Sequence, residues 1–185
     1  MAAGRRARRA VLALGSNQPP REGYLDLALT EFEHQGIEIL ATGPRWNTNP
    51  VDAPAQPDFL NQVVLVRGPR RGLGWLELAQ LAEARAGRRK GIDRGPRTLD
   101  VDVILIEGES WDIPDLRVPH HGLLTRPYLL RGAALVAPEW IVPGQGLTTL
   151  AMARQRLSGS WALAERRPST RAARGAADPR VPGWP

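Results

Sequence analysis

Gly95-Pro96-Arg97-Thr98-Leu99-Asp100-Val101-Asp102-Val103-Ile104-Leu105-Ile106 is the stretch from which the fold is read. From Leu99 onward it is aliphatic and β-branched, so it reads as a strand. Successive strand side chains point to opposite faces. Leu99, Val101, Val103 and Leu105 therefore share one face, and Asp100 and Asp102 the other, followed there by Ile104 and Ile106. Upstream lie a basic, Gly-containing loop (87–97) and the clearest helix (73–86). Before them, Phe59 to Val66 reads as a strand, Asn47 to Pro57 as a Pro-rich loop, and 37–46 as a strand. Leu25, Ala28, Leu29 and Phe32 give a helix over 21–34, stopped by Gly36. Ala10 to Gly15 is a buried first strand ending in the turn Gly15-Ser16-Asn17. Downstream, Gly108 turns the chain and Ser110 to Ile113 reads as a hairpin return. Pro119 to Pro127 reads as a loop, and 128–137 and 147–156 as helices. The order β-α-β-β-α-β predicts an α+β, ferredoxin-like fold: an antiparallel sheet with helices packed on it.

The chain has 185 residues, enough for one domain with a core and too few for two. It has no Cys, which excludes a disulfide scaffold, a thiolate zinc site and a Cys nucleophile. No apolar run is long enough to span a membrane, and no export signal is evident. The reading expects a cytoplasmic protein. The net charge of +6 suggests a polyanion partner, but its placement matters more. The Arg-rich ends carry more than the whole excess, and the stretch between them is slightly acidic. The expected organisation is a flexible basic N-terminus (1–9), one domain (10–157) and a mostly disordered Arg/Pro/Ala/Gly tail (158–185).

Two carboxylates side by side on an apolar strand repel each other and lose solvation. A divalent cation relieves both costs, and Mg²⁺ takes one or two carboxylates together with phosphate oxygens. The pair alone reads equally well as a strand end with two solvated Asp. The preceding loop shifts the balance: Arg85, Arg88, Arg89, Lys90, Arg94 and Arg97 face only Asp93 within 85–97. Guanidinium groups clamp phosphate oxygens, so the combination suits polyphosphate transfer. There is no Gly-x-x-x-x-Gly-Lys-Ser/Thr run, so a P-loop is excluded. A nucleic-acid-binding ferredoxin-like module would carry a Lys/Arg-Gly-Phe/Tyr-Gly/Ala-Phe run, which is also missing.

Gly95-Pro96-Arg97-Thr98-Leu99-Asp100-Val101-Asp102 resembles the signature of the 6-hydroxymethyl-7,8-dihydropterin pyrophosphokinase family of folate biosynthesis. Ala13 to Asn17, Gln56 to Asn61, and Val118-Pro119-His120 with Arg126 resemble further family segments, in family order. The resemblance implies a ferredoxin-like fold and transfer of diphosphate from ATP to the pterin hydroxymethyl group, with AMP released. It implies two Mg²⁺ ions, with ATP as co-substrate, held by Asp100 and Asp102. Arg88 and Arg97 would act on the phosphates, with Arg89 or Lys90 filling a second loop position. Leu76, Gln80, Glu83, His120 and Arg126 would complete the ATP side. Thr48, Val51, Phe59, Asn61 and Tyr128 would bind the pterin. The partners implied are these two small molecules, with a monomeric enzyme and neither membrane nor nucleic acid. Arg94 stands where many members have Trp, His121 where Tyr is frequent, Arg117 where a small polar residue is common, and Asn49 where Pro is common.

Overall fold

A computed structural model describes residues 7–50, 55–88 and 95–157. The Arg-rich tail, residues 1–6 of the basic N-terminus, Val51, Arg89, Lys90 and Arg94 lie outside the described residues.

The chain runs β1 (Arg8–Ser16), α1 (Arg21–His34), β2 (Glu38–Thr48), β3 (Phe59–Gly68), α2 (Gly72–Arg85) and β4 (Asp100–Ile106). These form one antiparallel sheet in the order β2-β3-β1-β4. That is the split-βαβ, ferredoxin-like arrangement which the element order predicts. β1 starts at Arg8, two residues before the expected Ala10, because Arg8 and Arg9 pair with Gly68 and Arg67.

Local chemistry explains the helix bounds. α1 ends at Gln35 and Gly36, the latter at φ +71°, and α2 ends before Gly87 at φ +69°. Both glycines supply the left-handed turn that releases the chain from a helix. α1 buries Tyr24, Leu25, Ala28 and Phe32, and α2 buries Trp75, Leu78, Ala79 and Ala82. These side chains pack with Leu12, Leu14, Val64, Val66, Leu99, Val101 and Val103 on one face of the sheet.

The other face is covered as well. α3 (Pro127–Val136) begins with Pro at its first position, where a missing N–H costs nothing. α4 (Thr149–Arg156) is capped by the Thr148 hydroxyl, which accepts from Ala151 N–H at 3.1 Å. Leu129, Leu130, Ala133, Met152 and Ala153 pack against Val11, Ala13, Val63 and Leu65. The sheet is therefore the middle of three layers.

Three sequence expectations need correction. The alternation along β4 breaks: Val11 pairs with Leu105 and Leu12 with Val103, so Ile104 is a bulge. Ile104 and Leu105 then both join the α3 side, and Ile106 joins the α1/α2 side. Residues 110–113 do not return along β4. β5 (Trp111–Ile113) pairs instead with β6 (Leu116–Val118), and only a single bridge joins Ile106 to Glu109. The 119–127 stretch is not a plain loop, since His121–Leu124 forms a 3-10 turn. Among the described residues no helix is long and apolar enough to cross a membrane.

Candidate active site

Strand register places the site. Asn61 lies opposite Gly15, and Gly15 opposite Asp100; one step further, Val63, Ala13 and Asp102 are aligned. Aligned residues point to the same face, and Ala13 and Val63 pack toward α3. The Asp pair and Asn61 therefore share the α3 face at one end of the sheet. They are two strand spacings apart, about 10 Å. Gly15 between them has no side chain to spare: a Cβ there would come within 2.8 Å of Asn61 Oδ1. An apolar side chain at this position would push the amide aside and fill the floor between the two groups.

Asp100 and Asp102 have different surroundings. Asp100 Oδ1 accepts from Arg88 Nη1 and Arg97 Nη1, both at 2.7 Å. Arg88 also pairs with Glu83, and Glu83 Oε1 accepts the Val101 N–H at 2.8 Å. Glu83 thus satisfies an amide on the open edge of β4 and holds Arg88 over Asp100. Burial raises the pKa of Glu83, opposed by the Val101 N–H and by Arg88.

Among the described residues no donor comes within hydrogen-bond distance of the Asp102 carboxylate. His120 Nε2 stands 3.8 Å away and Arg126 Nη1 4.0 Å away. Burial, and then the neighbouring Asp100, push its pKa up to about 7. The side chain keeps 30% of its surface exposed, so it faces an open cleft rather than the sealed core. An acceptor-only group without a donor, beside a like charge, suits a cation. Among the described residues no cluster of three or more His, Cys, Asp or Glu could hold a metal alone. The two carboxylates therefore fit a hard divalent ion that completes its shell with phosphate oxygens and water.

His120 opens the 3-10 turn. Its Nδ1 accepts from Gly122 N–H at 3.1 Å, which leaves the ring proton on Nε2, facing Asp102. Burial, His121 and Arg126 lower its pKa to about 4, so the ring is neutral at pH 7 and offers a donor without charge. On the other side of β1, Asn61 is 5% exposed and donates from Nδ2 to Thr48 Oγ1 at 2.7 Å. Phe59 pairs with Thr48 across β2 and β3 and projects to the same face as Asn61. Tyr128, at the start of α3, is partly buried against the α3-side core, and burial raises its pKa.

The structure thus gathers Arg88, Arg97, Asp100, Asp102, His120 and Arg126 in one cluster, and Thr48, Phe59 and Asn61 in a neighbouring one. On α2, Gln80 is exposed, Leu76 packs against the core, and Glu83 turns to β4. Asn17 carries no role in the sequence reading and proves central here. This buried side chain accepts the Arg97 N–H at 2.8 Å and donates to Gln56 Oε1 at 2.8 Å and Pro57 O at 3.1 Å. Its own N–H donates to Arg97 O at 3.2 Å. It ties the segments leading into β3 and β4 to the end of β1. The sequence signals were its place in the turn Gly15-Ser16-Asn17 and in the segment Ala13 to Asn17 that resembles the family.

Sheet order defines a ferredoxin-like α+β fold, and paired carboxylates beside convergent guanidinium groups are chemistry that suits an enzyme of polyphosphates. Comparison with known proteins narrows this class. Residues 11–138 match the model of the 7,8-dihydro-6-hydroxymethylpterin-pyrophosphokinase (HPPK) family. The 2-amino-4-hydroxy-6-hydroxymethyldihydropteridine pyrophosphokinase of Pseudomonas aeruginosa is 32% identical over 136 residues, covering 73% of this chain and 84% of that protein. Its Bacillus subtilis counterpart is 32% identical over 131 residues, covering 70% and 78%. The solved Plasmodium falciparum HPPK-DHPS shares the fold, with a TM-score of 0.60 at 14% identity over 83% of this chain and 42% of that chain. This chain belongs to the HPPK family.

Proposed function

We propose that the shared end of β1, β3 and β4 transfers the β,γ-diphosphate of ATP to 6-hydroxymethyl-7,8-dihydropterin, the diphosphokinase step of folate biosynthesis. The observation that carries this reading is the juxtaposition across Gly15: a carboxylate and guanidinium cluster on one side, a buried amide with an aromatic neighbour on the other.

Asn61 pairs with the polar edge of the pterin, with Thr48 orienting the amide. Phe59 and Tyr128 bracket the flat ring. Val51, outside the described residues, belongs to the same pocket in this reading. The nucleotide lies over the β4 edge, between α2 with Leu76, Gln80 and Glu83 and the segment carrying His120 and Arg126. Arg88, Arg97 and, from the loop outside the described residues, Arg89 or Lys90 hold the phosphates. Neutral His120 donates to a phosphate oxygen through Nε2–H, and Arg126 adds charge. Asp100 and Asp102 would hold Mg²⁺, as two ions with ATP, and the metal would supply charge neutralisation at the phosphates.

The pterin hydroxyl oxygen attacks the β-phosphorus in line. The new bond is oxygen to β-phosphorus. The bond to the α,β-bridging oxygen breaks, AMP leaves with that oxygen, and the hydroxyl proton passes to solvent. Such a loose transfer depends on positioning and charge neutralisation, so no strong base is required. Residues 10–157 carry the activity, as a cytoplasmic monomer acting on two small molecules.

Asn61→Ala tests the pterin assignment. It is expected to raise KM for the pterin about tenfold, with KM for ATP unchanged, in an assay of pterin-dependent AMP release. An unchanged pterin KM would show that the ring binds elsewhere.

A further inference from the structure

We propose that Glu109 is a positioning residue that sets the width of the nucleotide cleft by fastening the β5–β6 hairpin to the first turn of α2. Glu109 Oε2 accepts from the Gly72 N–H at 3.1 Å and from the Trp111 indole N–H at 2.9 Å. Gly72 is the first residue of α2, and Arg71 before it makes no side-chain cap hydrogen bond. The carboxylate therefore supplies, from a distant part of the chain, the acceptor that the helix start lacks. Its charge also suits the positive end of the helix dipole.

The Trp111 ring seals the joint. A Cβ on Gly72 would come within 2.1 Å of that ring, so indole and helix backbone are in direct contact. Two structures diverge from this point. α2 carries Glu83 to the β4 edge, with Leu76 and Gln80 at helical spacing on the same side of the helix. The hairpin, with Trp111 opposite Val118, runs through Pro119 into His120. The inference rests on the nucleotide placement proposed above: if ATP lies between these walls, their common anchor fixes their separation. Glu109 itself touches neither substrate in that placement.

Glu109 Oε1 is buried without a partner, so one oxygen makes both bonds. Glu109→Gln keeps one carbonyl oxygen able to accept both, whereas Glu109→Ala keeps none. The test is AMP release by the full chain with each substrate varied in turn. Glu109→Ala should raise KM for ATP about tenfold, with KM for the pterin and kcat within about twofold of wild type. Glu109→Gln should stay within about twofold throughout. A lower Tm for Glu109→Ala with unchanged KM for ATP would make Glu109 a helix cap and overturn the proposal. Equal rises in both KM values would overturn it too, as would Gln behaving like Ala. If Glu109→Ala does not fold, Trp111→Phe removes the indole donor and its contact with Gly72, and must still raise KM for ATP. If wild type releases no AMP at all, the nucleotide placement falls and the joint with it.

Discussion

Asp102→Asn is expected to lower kcat by about 10²-fold to 10³-fold while leaving the protein at least as stable as wild type. The two effects come from the same surroundings. Asp100 is held by two guanidinium groups at 2.7 Å, but Asp102 meets no hydrogen-bond donor among the described residues. Of the pair, Asp102 is the carboxylate left free to take a cation. Asn has nearly the same shape and no charge, so it removes the electrostatic role without opening a cavity. In the metal-free protein, Asp102 suffers burial and the repulsion of Asp100. An amide feels no charge repulsion and loses less on burial than a carboxylate, so thermal melts without Mg²⁺ should show an unchanged or higher Tm. Near-normal turnover of Asp102→Asn in Mg²⁺ would remove the metal assignment.

Asn17→Ala is expected to destabilise the fold by about 2–4 kcal/mol and to lower kcat more than it raises either KM. It deletes three side-chain hydrogen bonds, each contributing about 1 kcal/mol, and leaves Arg97 N–H and Pro57 O unpaired. Both segments that it releases lead into the site, one to Phe59 and Asn61 and the other to Arg97 and Asp100. Arg97 then loses its fixed approach to the phosphates, a positional loss felt mainly in the transition state. Asn17→Asp should not rescue, because a carboxylate has no N–H for Gln56 Oε1 and Pro57 O. Urea melts and steady-state kinetics on the same preparations check both parts. An unchanged melt for Asn17→Ala would contradict the clamp.

Much of the fold was legible because the signals are local. Two helical periods ending in Gly36 and Gly87, and strands bounded by Gly and Pro, gave the element order and hence the topology. What was missed is non-local. The Ile104 bulge is invisible in β4 alone, since it exists only relative to the residues that β1 presents opposite it. The partner of β5 was missed because β6 has only three residues, Leu116–Val118, too few for periodicity. α3 and α4 were expected, but not that they would cover the opposite face from α1 and α2.

The site divides in the same way. Asp100 and Asp102 stood out as charges in an aliphatic strand, and Arg88 and Arg97 as charges near them. That Glu83 serves the β4 edge was not readable, because its acceptor role depends on Val101 N–H, 18 positions away. Asn17 was missed for the same reason: its partners are 39, 40 and 80 positions distant. Gly15 looked like a turn residue, yet it works inside a strand, as the gap that brings the amide and the carboxylates onto one floor.

The most direct test identifies the products made by the wild-type chain. Protein, ATP, Mg²⁺ and 6-hydroxymethyl-7,8-dihydropterin are incubated together, and the mixture is followed by ³¹P NMR with mass spectrometry of the pterin. One AMP and one pterin diphosphate should form per ATP consumed, with no AMP when the pterin is omitted. ADP as the nucleotide product, or AMP formed equally well without pterin, would contradict diphosphate transfer at this site.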